Sequence, residues 1–224
     1  MPITFGIRRH LKKKKMKNLD NYGLALTNGK IPNTVNFDEL DIFEIFESGI
    51  FDAVPGLGEI ISTYKGFMDL RDKIFMKKFL RFLQSYNAQT IDEEKLIKFR
   101  EKIKSNKNYR TKVTEALIEY IDDYKSAQKI EIYSNLFSAY INDCYDWEYF
   151  LNLSDCLMKV NLKNLNLIPE IDTTEGKGVK QYNESKVSAE SDLISSGLAI
   201  KMSVWSSDTY PTCFGKDLLK YGVK

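Results

Sequence analysis

Histidine is almost absent from this 224-residue chain, and His10 is the only one. A Ser-His-Asp or Cys-His catalytic set needs an imidazole held against a cleft, whereas His10 stands in a basic run near the N-terminus. Residues 54–58 contain two glycines but lack the Gly-Lys-Ser/Thr of a phosphate-binding loop. We therefore predict no catalytic residue and expect that the protein is not an enzyme.

Cysteine is scarce as well: the chain has Cys144, Cys156 and Cys213 and no Cys-x-x-Cys pair. This spacing does not suit a zinc site, and an odd number of separated cysteines is typical of reduced thiols. The acidic stretch 142–148 lacks the glycine and the distal glutamate of a calcium loop. We predict no metal site, no cofactor and a cytoplasmic location.

Long apolar runs are missing too. The longest, residues 53–58 and 198–200, are far shorter than the roughly 20 residues of a membrane-spanning helix. The basic N-terminus is not followed by the apolar segment of a secretory signal, and Met16 is a second candidate start. We expect a soluble protein.

Charge is present in quantity, and the net charge of +2 conceals its segregation. Residues 1–17 hold seven bases and no acid, and residues 65–112 hold fourteen bases and six acids. Residues 18–64 and 113–178 are each strongly acidic. Such blocks favour pairing between opposite charges, within the fold or between copies. The alternatives are contact with nucleic acid or with an anionic membrane surface. The candidate contact residues are Arg8, Arg9, Lys12, Lys13, Lys14, Lys15, Lys17, Lys73, Lys77, Lys78 and Arg81.

Apolar spacing predicts a mainly α protein, a helical bundle followed by a small winged-helix-like α/β C-terminal unit. We place a basic tail and loop over 1–36, the bundle over 37–168, a linker over 169–183 and the C-terminal unit over 184–224. The predicted bundle helices are 38–51, 57–83 with a break near Gly66 or Asp69 left open, 90–104 with a capping box at Thr90, 109–124, 126–141 capped by Ser126, and 146–160 capped by Asp146.

The C-terminal unit is predicted as a helix over 184–196 closed by Gly197, a strand over 199–205, a turn over 206–208, a strand over 209–213 and a helix over 214–222. The stretches Leu193–Leu198 and Tyr210–Leu219, with the hairpin between them, resemble the second half of a bacterial winged-helix domain. In that resemblance the helix 184–196 would face DNA. Its net charge of −2 favours contact with protein over contact with phosphate.

The order of parts resembles that of uncharacterised bacterial helical-bundle proteins with a winged-helix-like end. More weakly, residues 139–157 resemble tellurite-resistance-B-like helical domains. The resemblance implies an accessory role in a bacterial system of the phage-defence type and assigns no catalytic residue. We expect an interaction or regulatory subunit that binds a protein partner or itself; the alternatives are a nucleic-acid-binding protein and a protein bound to an anionic membrane surface.

Overall fold

The computed structural model describes residues 18–32, 35–37, 39–40, 42–63, 69–173, 184–201 and 209–223. These residues form twelve α-helices and two short strands, which confirms the prediction of a mainly α protein. They divide into two compact units, a first unit up to Ile130 and a second unit from Glu131. The predicted tail residues 1–17 lie outside the described part of the chain.

The first unit contains seven complete helices and the start of an eighth. Their bounds are α1 Leu19–Asn28, α2 Ile42–Glu47, α3 Ile50–Ala53, α4 Leu57–Thr63, α5 Leu70–Asn87, α6 Glu93–Ser105, α7 Lys107–Asp123 and α8 Ala127–Ile141. Helix α8 crosses the division between the units.

Helix α1 lies where the sequence predicts tail and loop, so the prediction for residues 19–28 is wrong. Its apolar face is in the core, with Tyr22 fully buried. At Gly23 the side chain of Arg110 on α7 approaches so closely that an added Cβ would lie 2.9 Å from Arg110 Cδ. The same arginine donates to Asp20 Oδ1 at 2.7 Å. Glycine at position 23 weakens the helix locally, but it leaves the space that the Arg110 side chain occupies between α1 and α7.

Aromatic side chains fill the core of the first unit. Phe75 and Phe79 lie one turn apart on α5, and both rings meet Tyr22 edge to face, with centroids 5.9 and 5.0 Å away. Phe82 continues the row along the same helix. All four side chains are at most 1 % exposed, so burial of these rings is a major source of stability for the unit.

Aspartates mark the starts of α5 and α6. Asp69 Oδ1 accepts from the backbone N–H of Asp72 at 2.8 Å, so the break left open near this position in the predicted helix 57–83 lies here. Asp92 Oδ1 accepts from the N–H of Lys95 at 3.1 Å. The cap predicted at Thr90 is therefore wrong, because the first turn of α6 begins at residue 93 and brings its amide to Asp92.

The second unit contains the rest of α8 and the remaining elements of the chain. They are α9 Trp147–Lys159, a 3-10 turn Leu162–Asn164, α10 Leu167–Thr173, α11 Glu184–Ser195, β1 Ala199–Lys201, β2 Thr209–Pro211, α12 Cys213–Asp217 and a π-helical turn Leu218–Gly222. The predicted caps of α8 and α9 are confirmed, since the Ser126 hydroxyl and the Asp146 carboxylate accept backbone N–H groups at 3.2 and 2.8 Å.

The C-terminal part of the second unit follows the predicted order of helix, strand, strand and helix. Gly197 closes α11 with φ of +84°, and the N–H of Leu198 donates to the carbonyl of Leu193 at 2.9 Å. The strands pair antiparallel, with Ile200 opposite Tyr210. The predicted turn 206–208, and residues 174–183 of the predicted linker, lie outside the described residues; the linker's first residues, 169–173, belong to α10.

Candidate functional site

Three of the predicted contact residues on α5 face the protein itself. The Lys77 ammonium donates to the carbonyl oxygen of Leu40 at 2.8 Å, and Lys78 donates to that of Asp122 at 2.9 Å. Arg81 is 8 % exposed. Lys77 and Lys78 therefore hold other segments against α5, and Arg81 is too deeply buried to offer its charge to an external anion.

Of the remaining candidate contact residues, Lys73 is within the part of the chain that the structure describes. Lys73 is half-buried, and its ammonium lies 5.5 Å from the centre of the Phe46 ring on α2, a cation–π contact. Arg8, Arg9, Lys12, Lys13, Lys14, Lys15 and Lys17 lie outside the described residues. The structure thus does not bring the predicted cations together into one open patch on α5.

A cavity of about 480 Å³ lies in the first unit, between the segment after α1, the end of α5 and helix α6. Its polar lining consists of Lys30, Tyr86, Asn87, Gln89 and Arg100. We call it the α5–α6 cavity. Its volume falls within the range of about 300–1,000 Å³ that small-molecule sites occupy.

Amide side chains fix the segment that carries Lys30. Asn87 Nδ2 donates to the Gly29 carbonyl at 3.0 Å, and Gln84 Nε2 donates to the carbonyls of Pro32 and Val35 at 2.9 and 2.8 Å. Because these amides come from the last turns of α5, the segment is tied to the helix end at three points. Lys30 is thereby held beside the cavity by backbone contacts on both sides of it.

Tyr86 and Arg100 give the cavity its electrostatic character. The Tyr86 side chain is 3 % exposed and stacks parallel to Phe82, with ring centroids 6.2 Å apart. Burial raises the pKa of Tyr86 well above its ordinary value, opposed by the nearby Arg100 charge, so Tyr86 stays a neutral hydroxyl at pH 7. The Arg100 Nε is buried and has no hydrogen-bond partner among the described residues.

The charge of the cavity lining is positive. Lys30 and Arg100 are the two basic side chains among its lining residues, and none of the lining residues that the structure describes is acidic. Apolar walls are supplied by Ile31, Ile91 and Leu96. The geometry therefore combines two cations, neutral polar groups and an apolar side.

Sequence reasoning did not find this cavity. Its residues come from positions 30–31 and from positions 86–100, and no motif links them. The available signal was indirect: Leu96 and Arg100 stand four apart on α6, where an i, i+4 pair shares one helix face. Nothing in that spacing indicates which segment covers the face.

In the second unit, α11 uses its acids for internal contacts. Glu190 is 7 % exposed, accepts a hydrogen bond from the Thr209 hydroxyl and lies 3.3 Å from Lys201 Nζ. Asp192 accepts from the N–H of Asn161 at 2.9 Å. Two acids of the helix predicted to carry net charge −2 are thus paired with groups of the same unit.

Two large apolar side chains are exposed one turn apart at the start of α5. Leu70 is 60 % exposed and Ile74 is 44 % exposed. We call them the apolar pair. The charged residues Asp69 and Arg71 beside them are also exposed, so both signs of charge border the pair.

Within the described ranges, no three His, Cys, Asp or Glu side chains are grouped so that they could hold a metal ion. No helix in the described part of the chain combines the length and the apolar character needed to cross a membrane. The chain matches no protein-family model, no curated protein and no solved structure.

Proposed function

We propose that this chain is a non-enzymatic interaction or regulatory subunit of the bacterial cytoplasm that binds a protein partner or a second copy of itself. The observation that carries the proposal is the apolar pair, Leu70 and Ile74. Side chains four apart on a helix are the anchors by which an amphipathic helix face docks on a partner. The three free cysteines support the compartment, and the winged-helix resemblance supports an accessory role of the phage-defence type.

A second copy of the chain is the simplest occupant of this surface. In a two-fold symmetric dimer the same surface of each copy lies at the interface. A surface that carries both signs of charge can therefore pair its acids with the bases of the other copy. Asp69 of one copy would then face Arg71 of the other, while the apolar pairs pack between them. Covering the exposed part of each apolar side chain contributes about 1–2 kcal/mol, so burial of the apolar pair favours association.

The experiment is co-purification of two differently tagged copies expressed in one cell, together with any partner they retain. We expect the wild-type copies to capture each other or a stoichiometric partner, and the double variant Leu70→Glu/Ile74→Glu to lose that capture. Val187→Glu is the matched control, since Val187 is 42 % exposed and lies on α11. Capture that both variants retain equally would refute the role of the apolar pair.

The nucleic-acid and membrane alternatives draw no support from α5, because Lys77 and Lys78 donate to backbone oxygens of the protein. They depend on the basic residues 8–17. Retention on DNA or on anionic vesicles that falls with salt and disappears on deletion of residues 1–17 would favour them over the proposal.

A further inference from the structure

We propose that the α5–α6 cavity is a binding site for a small organic oxyanion, a molecule with a phosphate or carboxylate group on an apolar body. The proposal goes beyond the interaction function and rests on a different set of residues, Lys30 and Arg100 with the apolar walls. The site would make the chain responsive to a ligand without any chemical step.

Arg100 places a guanidinium group at the cavity. The residue lines the cavity and is half-buried. A guanidinium presents several N–H donors in a fixed fork, and a phosphate or carboxylate oxygen is the acceptor that suits it best. An oxyanion in the cavity would therefore lie beside a group suited to bind it.

The charge of the lining residues also favours an anion. Lys30 and Arg100 approach the cavity from two different segments, and the lining residues that the structure describes include no carboxylate to neutralise them. A cationic ligand would meet repulsion from both charges, so the lining selects for negative charge.

The volume and the apolar side of the cavity favour a ligand with an apolar body. A cavity of about 480 Å³ is much larger than an inorganic anion needs, and Ile31, Ile91 and Leu96 form an apolar side. Contact with these side chains strengthens the binding of a ligand that has an apolar or planar body. The lining therefore favours an organic anion over inorganic phosphate.

The experiment is calorimetric titration of the full chain with matched probes. The anionic probes are adenosine monophosphate and naphthoate, the neutral controls are adenosine and naphthylmethanol, and inorganic phosphate tests the need for an apolar body. We expect at least one organic anion to bind at least tenfold more tightly than its neutral control and than inorganic phosphate. The anion that binds identifies phosphate or carboxylate as the preferred group.

The variants test whether binding occurs in this cavity. Arg100→Gln should lower the affinity for the anion by about tenfold or more. Lys30→Gln should lower it by about threefold to tenfold, and because Lys30 is exposed we expect this variant to fold as the wild type does. Lys104→Gln removes one positive charge from an exposed position on the same helix and should change affinity less than twofold. The proposal is overturned if no anion binds, if the neutral controls bind equally well, or if Lys30→Gln and Lys104→Gln have equal effects.

Discussion

Replacing Tyr22 with alanine tests whether α1 is a structural part of the first unit. The Tyr22 ring is fully buried, and its hydroxyl donates to the Met76 sulfur at 3.6 Å. Its ring lies edge to face on Phe75 and Phe79. Tyr22→Ala therefore removes a side chain that contacts three residues of α5.

The magnitude follows from this burial. Truncating a fully buried aromatic side chain costs about 3–5 kcal/mol, which includes the cavity it leaves and about 0.5–1.5 kcal/mol for each aromatic pair. Leu24, on the same helix, is 40 % exposed, so Leu24→Ala should cost below about 1 kcal/mol. The two substitutions thus differ by a factor of at least three.

The assay is urea unfolding of both variants, followed by far-ultraviolet circular dichroism. We expect Tyr22→Ala to lower the unfolding midpoint far more than Leu24→Ala at similar slopes. Equal, small losses for both variants would refute the reasoning. That result would mean that residues 18–36 behave as the dispensable loop that the sequence alone predicts.

Three further predictions concern single contacts. Glu190→Ala should lower the free energy of unfolding by about 1–3 kcal/mol, because it leaves the fully buried Thr209 hydroxyl without its acceptor. It should also speed amide hydrogen exchange in the β1–β2 ribbon, and unchanged exchange rates would contradict the prediction. Burial raises the pKa of Tyr145 and Tyr149 above that of an unfolded tyrosine, about 10. The free energy of unfolding should therefore be unaffected by these groups below pH 10 and should fall as the pH rises further. A spectrophotometric titration in which both tyrosines ionise below pH 10 would contradict this prediction. Lys78→Gln should lower thermal stability by about 1 kcal/mol, because it removes a 2.9 Å hydrogen bond to a carbonyl in the last turn of α7; an unchanged melting temperature would refute this.

The helices α6 to α9, α11 and α12 could be predicted because their signals are local, whereas α10 lies partly in the predicted linker. Asp146 and Ser126 each stand directly before an apolar pattern of helical period, and their side chains accept the backbone N–H groups that every helix start leaves open. Gly197 likewise closes α11 through its own positive φ. Such signals can be recognised from the few residues around each helix end, without knowledge of the rest of the fold.

Helix α1 and the α5–α6 cavity depend on contacts between distant parts of the chain. Gly23 disfavours a helix in isolation and becomes necessary only when Arg110 passes over it. Lys30 reaches the cavity only because Asn87 and Gln84 bind the backbone around it. The same holds for Lys77, whose partner, the Leu40 carbonyl, lies 37 residues away in sequence.

The measurement that tests the central claim most directly is the molar mass of the purified chain in solution. Light scattering from micromolar to submillimolar concentration should show the wild-type mass rising above the 26.0 kDa of one chain. The Leu70→Glu/Ile74→Glu variant should stay at the single-chain mass, and Val187→Glu should follow the wild type. A wild-type mass that stays at one chain throughout, with no partner lost on substitution of the apolar pair, would contradict the account.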